Sequence, residues 1–145
     1  MRYKYHPIRS KLDPNDVLLE PIIPVGLRYR GGRGVVVTAL IDSGADLCLF
    51  HSSVGRALGI DLQSGRKDMI KTLSLEEIPA YVHSVHLVLK GEPGVDLEIG
   101  FLELDLLPDG GLLGQTGFFD EFDIRFQRWQ NSIHIHRRRG WKKTR

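Results

Sequence analysis

The apolar residues of this chain come in short alternating runs cut by glycine and proline, with no amphipathic stretch longer than about three helical turns. Ile22 to Tyr29 alternates, Gly31-Gly32-Arg33-Gly34 predicts a turn, and the β-branched run Val35 to Ile41 predicts the returning strand. Tyr81 to Leu89 alternates again, Gly91-Glu92-Pro93-Gly94 turns the chain, and Val95 to Leu104 completes a second hairpin. Phe122 to Phe126 and Ser132 to His136 form a third alternating pair. Two short helices are expected. One spans Val54 to Leu58, capped by Ser52 or Ser53 and ended by a left-handed Gly59; the other spans Thr116 to Glu121. The pattern is that of an all-β chain with one or two short helices and no internal repeat.

With 145 residues, 41% of them hydrophobic, the chain has material for one soluble domain. Residues 1–20, polar and broken by Pro7 and Pro14, read as an N-terminal arm with at most local structure; 21–136 read as the folded domain and 137–145 as a basic tail. The formal charge of +2 is unevenly distributed, because the last nine residues hold six Arg or Lys and no acid. Without them, 14 basic residues face 18 acidic ones, so the body is mildly acidic and nucleic acid is not an expected partner. The tail reads as a solvated end, with contact to RNA, lipid head groups or an acidic partner as alternatives. A single Cys excludes an intramolecular disulfide framework and a Cys-rich zinc module, and no apolar run of about 18 residues is present to span a membrane. The opening Met-Arg-Tyr-Lys-Tyr-His-Pro lacks the apolar core of a signal peptide, so a cytoplasmic setting is expected.

Chemistry concentrates where Val37-Thr38-Ala39-Leu40-Ile41 runs into Asp42-Ser43-Gly44-Ala45-Asp46. An acid delivered by a buried strand into a tight Ser-Gly turn is held rigidly and is partly desolvated. The hydroxyl can fix the backbone, and the missing glycine side chain lets another main chain come close. On Asp-Ser-Gly alone, a plain strand-ending Asx-turn is the favoured reading.

The flanks extend the pattern. Leu40-Ile41-Asp42-Ser43-Gly44-Ala45-Asp46 resembles the active-site loop of the retropepsin-like aspartic proteases. About 70 residues on, Gly111-Leu112-Leu113-Gly114 resembles that family's second signature. The order of hairpin, active-site loop, flap region, second signature and final strands matches as well, over roughly residues 21–137, with a likeness to the small independent proteins of this family found in bacteria. The resemblance implies a closed β-barrel of the acid-protease half type, and an aspartic endopeptidase acting on polypeptide with water as nucleophile and no metal or cofactor. Asp42 would be the catalytic acid/base and Ser43 would brace the paired loops. Gly44 and Asp46 would contact substrate main chain, and Ala45 would pack near the site. Leu112, with Leu113 in the same signature, would line a pocket, and Gly114 would let its loop lie against the turn.

Such hydrolysis uses two carboxylates that share one proton, because like charges this close cannot both ionise. The chain offers one Asp-Ser-Gly, so an active form requires a homodimer with an Asp42 from each copy. Two features depart from the family pattern. Gln115 stands where an Arg usually follows the second signature, leaving Asp46 a neutral amide as neighbour. The candidate flap, Met69 to Tyr81, lies in a stretch without Gly from Arg66 to Lys90. A non-catalytic dimeric binding module of the same fold is therefore the alternative.

Other residues read as structural. Cys48 reads as a small buried residue, His134 and His136 as the outward side of a half-buried edge strand, and Glu103, Asp105 and Asp109 as solvated surface. Phe118, Phe119, Phe122 and Phe126 are expected mostly in the core or at a dimer interface.

Overall fold

The computed structural model describes residues 1–105 and 110–140. In chain order the elements are β1 (Arg2–Tyr3), β2 (His6–Arg9), β3 (Val17–Glu20), β4 (Ile22–Arg28), β5 (Val35–Ile41), β6 (Cys48–His51) and α1 (Ser52–Ala57). Beyond them come β7 (Arg66–Lys71), β8 (Glu77–Val88), β9 (Val95–Leu102), β10 (Gly110–Leu113), α2 (Phe118–Glu121), β11 (Phe122–Gln127) and β12 (Ser132–Arg137). The main sheet runs β4-β5-β10-β6-β9-β8-β7, and β4 also pairs with β8. That extra pairing, with Leu27 opposite Leu87, closes six strands into a barrel and leaves β7 outside it, paired with β8. The all-β reading and its closed barrel are borne out.

Closure results from alternation. Ile23, Val25 and Leu27 on β4, Ala39 and Ile41 on β5, Val85 and Leu87 on β8, and Ile99 and Phe101 on β9 all point inward, each 3% exposed or less. Each large apolar side chain buried this way contributes roughly 1.5–3 kcal/mol. A register slip of one residue would turn the whole set out to water, so the pattern fixes the register.

The parallel pairs β5–β10 and β6–β9 were not visible as local hairpins, because their partners are far apart in sequence. The β5–β10 pair carries the Gly111–Gly114 segment to the strand that ends at Asp42: Leu112 lies opposite Leu40, and Leu113 opposite Ile41.

Three local expectations change in detail. Helix α1 begins at Ser52, and its cap is His51, whose Nδ1 accepts the Ser53 N–H at 3.1 Å. Ser52 is 2% exposed and belongs to the packed side of the helix. Gly59 does take the left-handed conformation after it, at φ +78°. Strand β12 is not an edge, since it lies between β1 and β11 with Ile133 and Ile135 fully buried. The first residues, polar as they are, supply β1: the Met1 ammonium donates to Ile135 O at 2.8 Å, and Tyr5 is buried in the barrel core. A two-residue strand has no periodicity to read. At the other end, Arg137 bonds Gly94 O and Glu121, and Arg138 meets Asp123 at 3.5 Å; residues 141–145 of the basic tail lie outside the described residues.

The hairpin β7–β8 occupies the expected flap segment, and its tip shows how a chain without glycine makes the turn. Thr72 N–H donates to Glu76 O at 2.9 Å, Leu75 N–H donates to Thr72 O at 3.0 Å, and Leu75 itself is left-handed at φ +64°. That conformation costs a non-glycine residue about 1–2 kcal/mol. Leu75→Gly is expected to hold or raise stability by up to about 1 kcal/mol, and Leu75→Ile to lower it by at least as much, because branching at Cβ worsens the clash. The urea midpoints of the two variants check this.

Candidate active site

Strand β5 ends in the Asp-Ser-Gly turn, whose shape is fixed by backbone N–H donors. Ile41 N–H donates to Pro21 O at 2.9 Å and Asp42 N–H to Leu113 O at 3.0 Å, so Asp42 leaves a strand held on both sides. Ala45 N–H returns to Asp42 O at 3.2 Å, closing the turn. Inside it, Gly44 N–H donates to Asp42 Oδ1 at 2.9 Å. The Asx-turn is present, and the bond that shapes it also fixes the orientation of the Asp42 carboxylate. Asp42 is half-buried, while Ser43, Gly44 and Asp46 stand at or near the surface, so the acid lies on an open face.

The second signature locks this turn from below. Gln115 N–H donates to Ala45 O and Thr116 N–H to Asp46 O, both at 2.8 Å, and Leu47 bridges to Thr116 as a parallel pair. Gly114 is needed for that approach, since a Cβ there would lie on Leu47 O and 2.7 Å from Ala45 O. Leu113 is fully buried in the barrel and serves the site through its carbonyl. Leu112 faces the other side of the sheet. There, with Leu47, Ile70, Ile78 and Leu104, it packs on Leu49, Ala80 and Leu102, an apolar patch to which the β7–β8 hairpin itself contributes.

Gln115 does not reach for Asp46. Its side-chain amide donates to Ser43 O at 2.8 Å, so the neutral residue braces the Asp-Ser-Gly turn itself. An amide can do this because the partner is a carbonyl, not a carboxylate needing neutralisation. Sequence reasoning missed Pro21, Leu47 and Thr116, which act through their main chains and carry no side-chain signal.

Cys48 lies behind the turn, fully buried, with its sulfur 3.4 Å from Gly114 N. Burial pushes its thiol above the ordinary range. We expect native protein to leave Cys48 unmodified by a thiol reagent that labels the denatured chain fully, as read by mass spectrometry. His134 shares a 2.9 Å hydrogen bond with Ser132 Oγ, and burial followed by Arg125 and Arg2 holds its imidazole below the ordinary value. Among the described residues no three His, Cys, Asp or Glu side chains gather as a metal site. Glu103 pairs with Arg56 at 2.7 Å and Asp105 stands 3.6 Å from His51, while Asp109 lies outside the described residues. Phe118 and Phe122 are core residues, their rings 5.0 Å apart, and Phe126 is largely exposed. A cavity of about 520 Å³ lined by Ser52, Arg56, Ile78, Tyr81, Leu102 and Glu103 does not include Asp42. No described helix is long and apolar enough to cross a membrane.

A family model described as aspartyl protease matches residues 27–116, a span that runs from β4 to just past the second signature. Among solved structures, the crystal structure of a retropepsin-like aspartic protease from Rickettsia conorii aligns with a TM-score of 0.53 at 16% identity, covering 92% of this chain and 94% of that one. No curated protein sequence matches the chain.

Proposed function

Because the chain belongs to the aspartyl protease family, we propose that it is an endopeptidase whose catalytic pair is Asp42 from each of two identical subunits. The observation that carries this reading is the Asp42 carboxylate, held through Oδ1 by Gly44 N–H on an open face, in a chain with one Asp-Ser-Gly. A single half-buried carboxylate is half of the machinery. Brought together across a two-fold axis, two would share one proton. The ionised Asp42 then takes a proton from water as the water oxygen bonds to the amide carbon. The protonated Asp42 gives its proton to the carbonyl oxygen, forming a neutral diol. Collapse of the diol breaks the C–N bond, with a proton passing to the leaving nitrogen. Carboxylates and water suffice for every step.

Under this proposal Ser43, Gly44, Ala45 and Asp46 present main chain to the substrate and to the partner loop. Leu112 and its apolar neighbours receive a substrate side chain, and the β7–β8 hairpin covers the bound polypeptide. A cytoplasmic setting, the expectation from the sequence, belongs to the same proposal. The dimeric binding module is the second reading, favoured by Gln115 spending its amide on Ser43 O and leaving Asp46 without a cationic neighbour from that position.

Hydrolysis of a diverse peptide mixture between about pH 4 and 7 separates the two, since a shared proton predicts a bell-shaped profile on the acidic side of neutral. Absence of cleavage across that range by a folded dimer would overturn the enzyme reading in favour of the module.

A further inference from the structure

Strand β12 lies between β1 and β11, so its outward side chains are flanked on both sides. His134 stands opposite Arg2 on β1 and opposite Arg125 on β11. Tyr3, Ile133 and Ile135 point into the barrel core, which by alternation turns the Arg2–His134–Arg125 row outward. Ser132 joins two members of the row from a fully buried position: Arg2 Nε–H donates to its Oγ at 3.0 Å, and that Oγ lies 2.9 Å from His134 Nε2. With Arg2 donating, the hydroxyl hydrogen is available to Nε2, which leaves a neutral His134 its N–H at Nδ1.

A cavity of about 310 Å³ opens here, lined by Asp123, Ile124, Arg125, His134 and His136. Among the described residues neither the Arg2 nor the Arg125 guanidinium meets a carboxylate. The one acid in the lining, Asp123, stands opposite His136 and is engaged by Arg138 at 3.5 Å. Burial first, and then Arg125, Arg2, His136 and the N-terminal ammonium, hold the His134 imidazole below its ordinary value, so a net positive field acts at this point.

We propose that Arg2, His134 and Arg125, with Ser132 joining the first two, form a binding site for a phosphoryl group. The guanidinia and the imidazole N–H are all donors, set on three strands that span about 10 Å at Cα. A carboxylate offers two oxygens in one plane. A phosphoryl group offers three that diverge, with more charge at neutral pH, and so can meet donors from all three strands. Its charge also favours the protonated form of His134, which adds a third cation to the site. The site lies on a different sheet from the strand that ends at Asp42, and the inference does not depend on the protease reading.

Inorganic phosphate is the first probe. The imidazole signals of the full-length protein are followed by NMR through a pH titration, in phosphate and in chloride at equal ionic strength. Saturating phosphate is expected to raise the His134 midpoint by about one pH unit, while that of exposed His6 stays in place. Arg125→Gln should raise the midpoint in chloride, because a positive neighbour is gone, and weaken phosphate roughly tenfold or more; Arg125→Lys should recover part of that affinity. Circular dichroism reports the fold of each variant. Competition by oligothymidylate separates the sources: displacement at a lower phosphate-equivalent concentration assigns a nucleic-acid backbone, and displacement at no lower one a single phosphoryl group. A His134 midpoint equal in phosphate and chloride, a shift that His6 shares, or one that Arg125→Gln keeps in full overturns the site.

Discussion

Asp42→Asn should reduce peptide hydrolysis by at least about a thousandfold, the scale expected when a group that both takes and gives a proton is lost, while fold and dimer persist. The substitution is close to isosteric, and its amide oxygen can still accept the Gly44 N–H that Asp42 Oδ1 accepts at 2.9 Å. What it removes is the capacity to ionise and to hold the shared proton. Its melting temperature should therefore stay near the parent's. Asp42→Ala removes the acceptor as well, and should cost about a further 1 kcal/mol as the Gly44 N–H loses its partner. Steady-state hydrolysis and thermal melts of the three proteins read both effects; an Asn variant above a tenth of parent activity would exclude Asp42 as the acid/base.

The largest stability effect is expected at Gly114. Its Cα sits against the backbone of the Asp42–Leu47 loop, where a methyl group would overlap Leu47 O and press on Ala45 O. Both are main-chain atoms tied down by neighbouring bonds: Gln115 N–H on Ala45 O, and the Leu47–Thr116 bridge. No side-chain rotation relieves the clash, so the two loops must separate. Gly114→Ala then breaks the bonds that hold Asp42 in place and exposes the packing around Cys48, at a cost of roughly 3–5 kcal/mol. Urea denaturation measures the loss, and hydrolysis should fall with it. A variant of parent stability would show that the signature glycine is not what permits this approach.

The legible part of the fold was the part with local periodicity. Strand pairs β4–β5, β8–β9 and β11–β12 each alternate on either side of a turn, and two of those turns contain glycine, so sequence alone placed them. The hairpin β7–β8 was harder, because the turn chemistry there is Thr72, Ser74 and a left-handed Leu75 in place of glycine. The parallel pairings of β10 with β5 and of β9 with β6 depend on barrel closure, which no window of sequence reports. In the site, the motif residues could be named, but the direction of Gln115 toward Ser43 could not. An amide accepts or donates to many neighbours, and geometry decides among them. The arm was misjudged for a related reason. Polar residues and two prolines look like punctuation, yet β1 needs two residues to pair with β12, and Tyr5 N–H finds Asn131 Oδ1 at 2.9 Å.

The most direct test of the shared pair is subunit mixing. Parent protein at a fixed concentration well above its dimer dissociation constant is titrated with the Asp42→Asn variant, and hydrolysis is followed. A pair built from two copies predicts that mixed dimers are inactive, so an equal amount of variant leaves about half of the activity and an excess drives it toward zero. Activity that stays constant through the titration would mean that one Asp42 works without the other, contradicting the account.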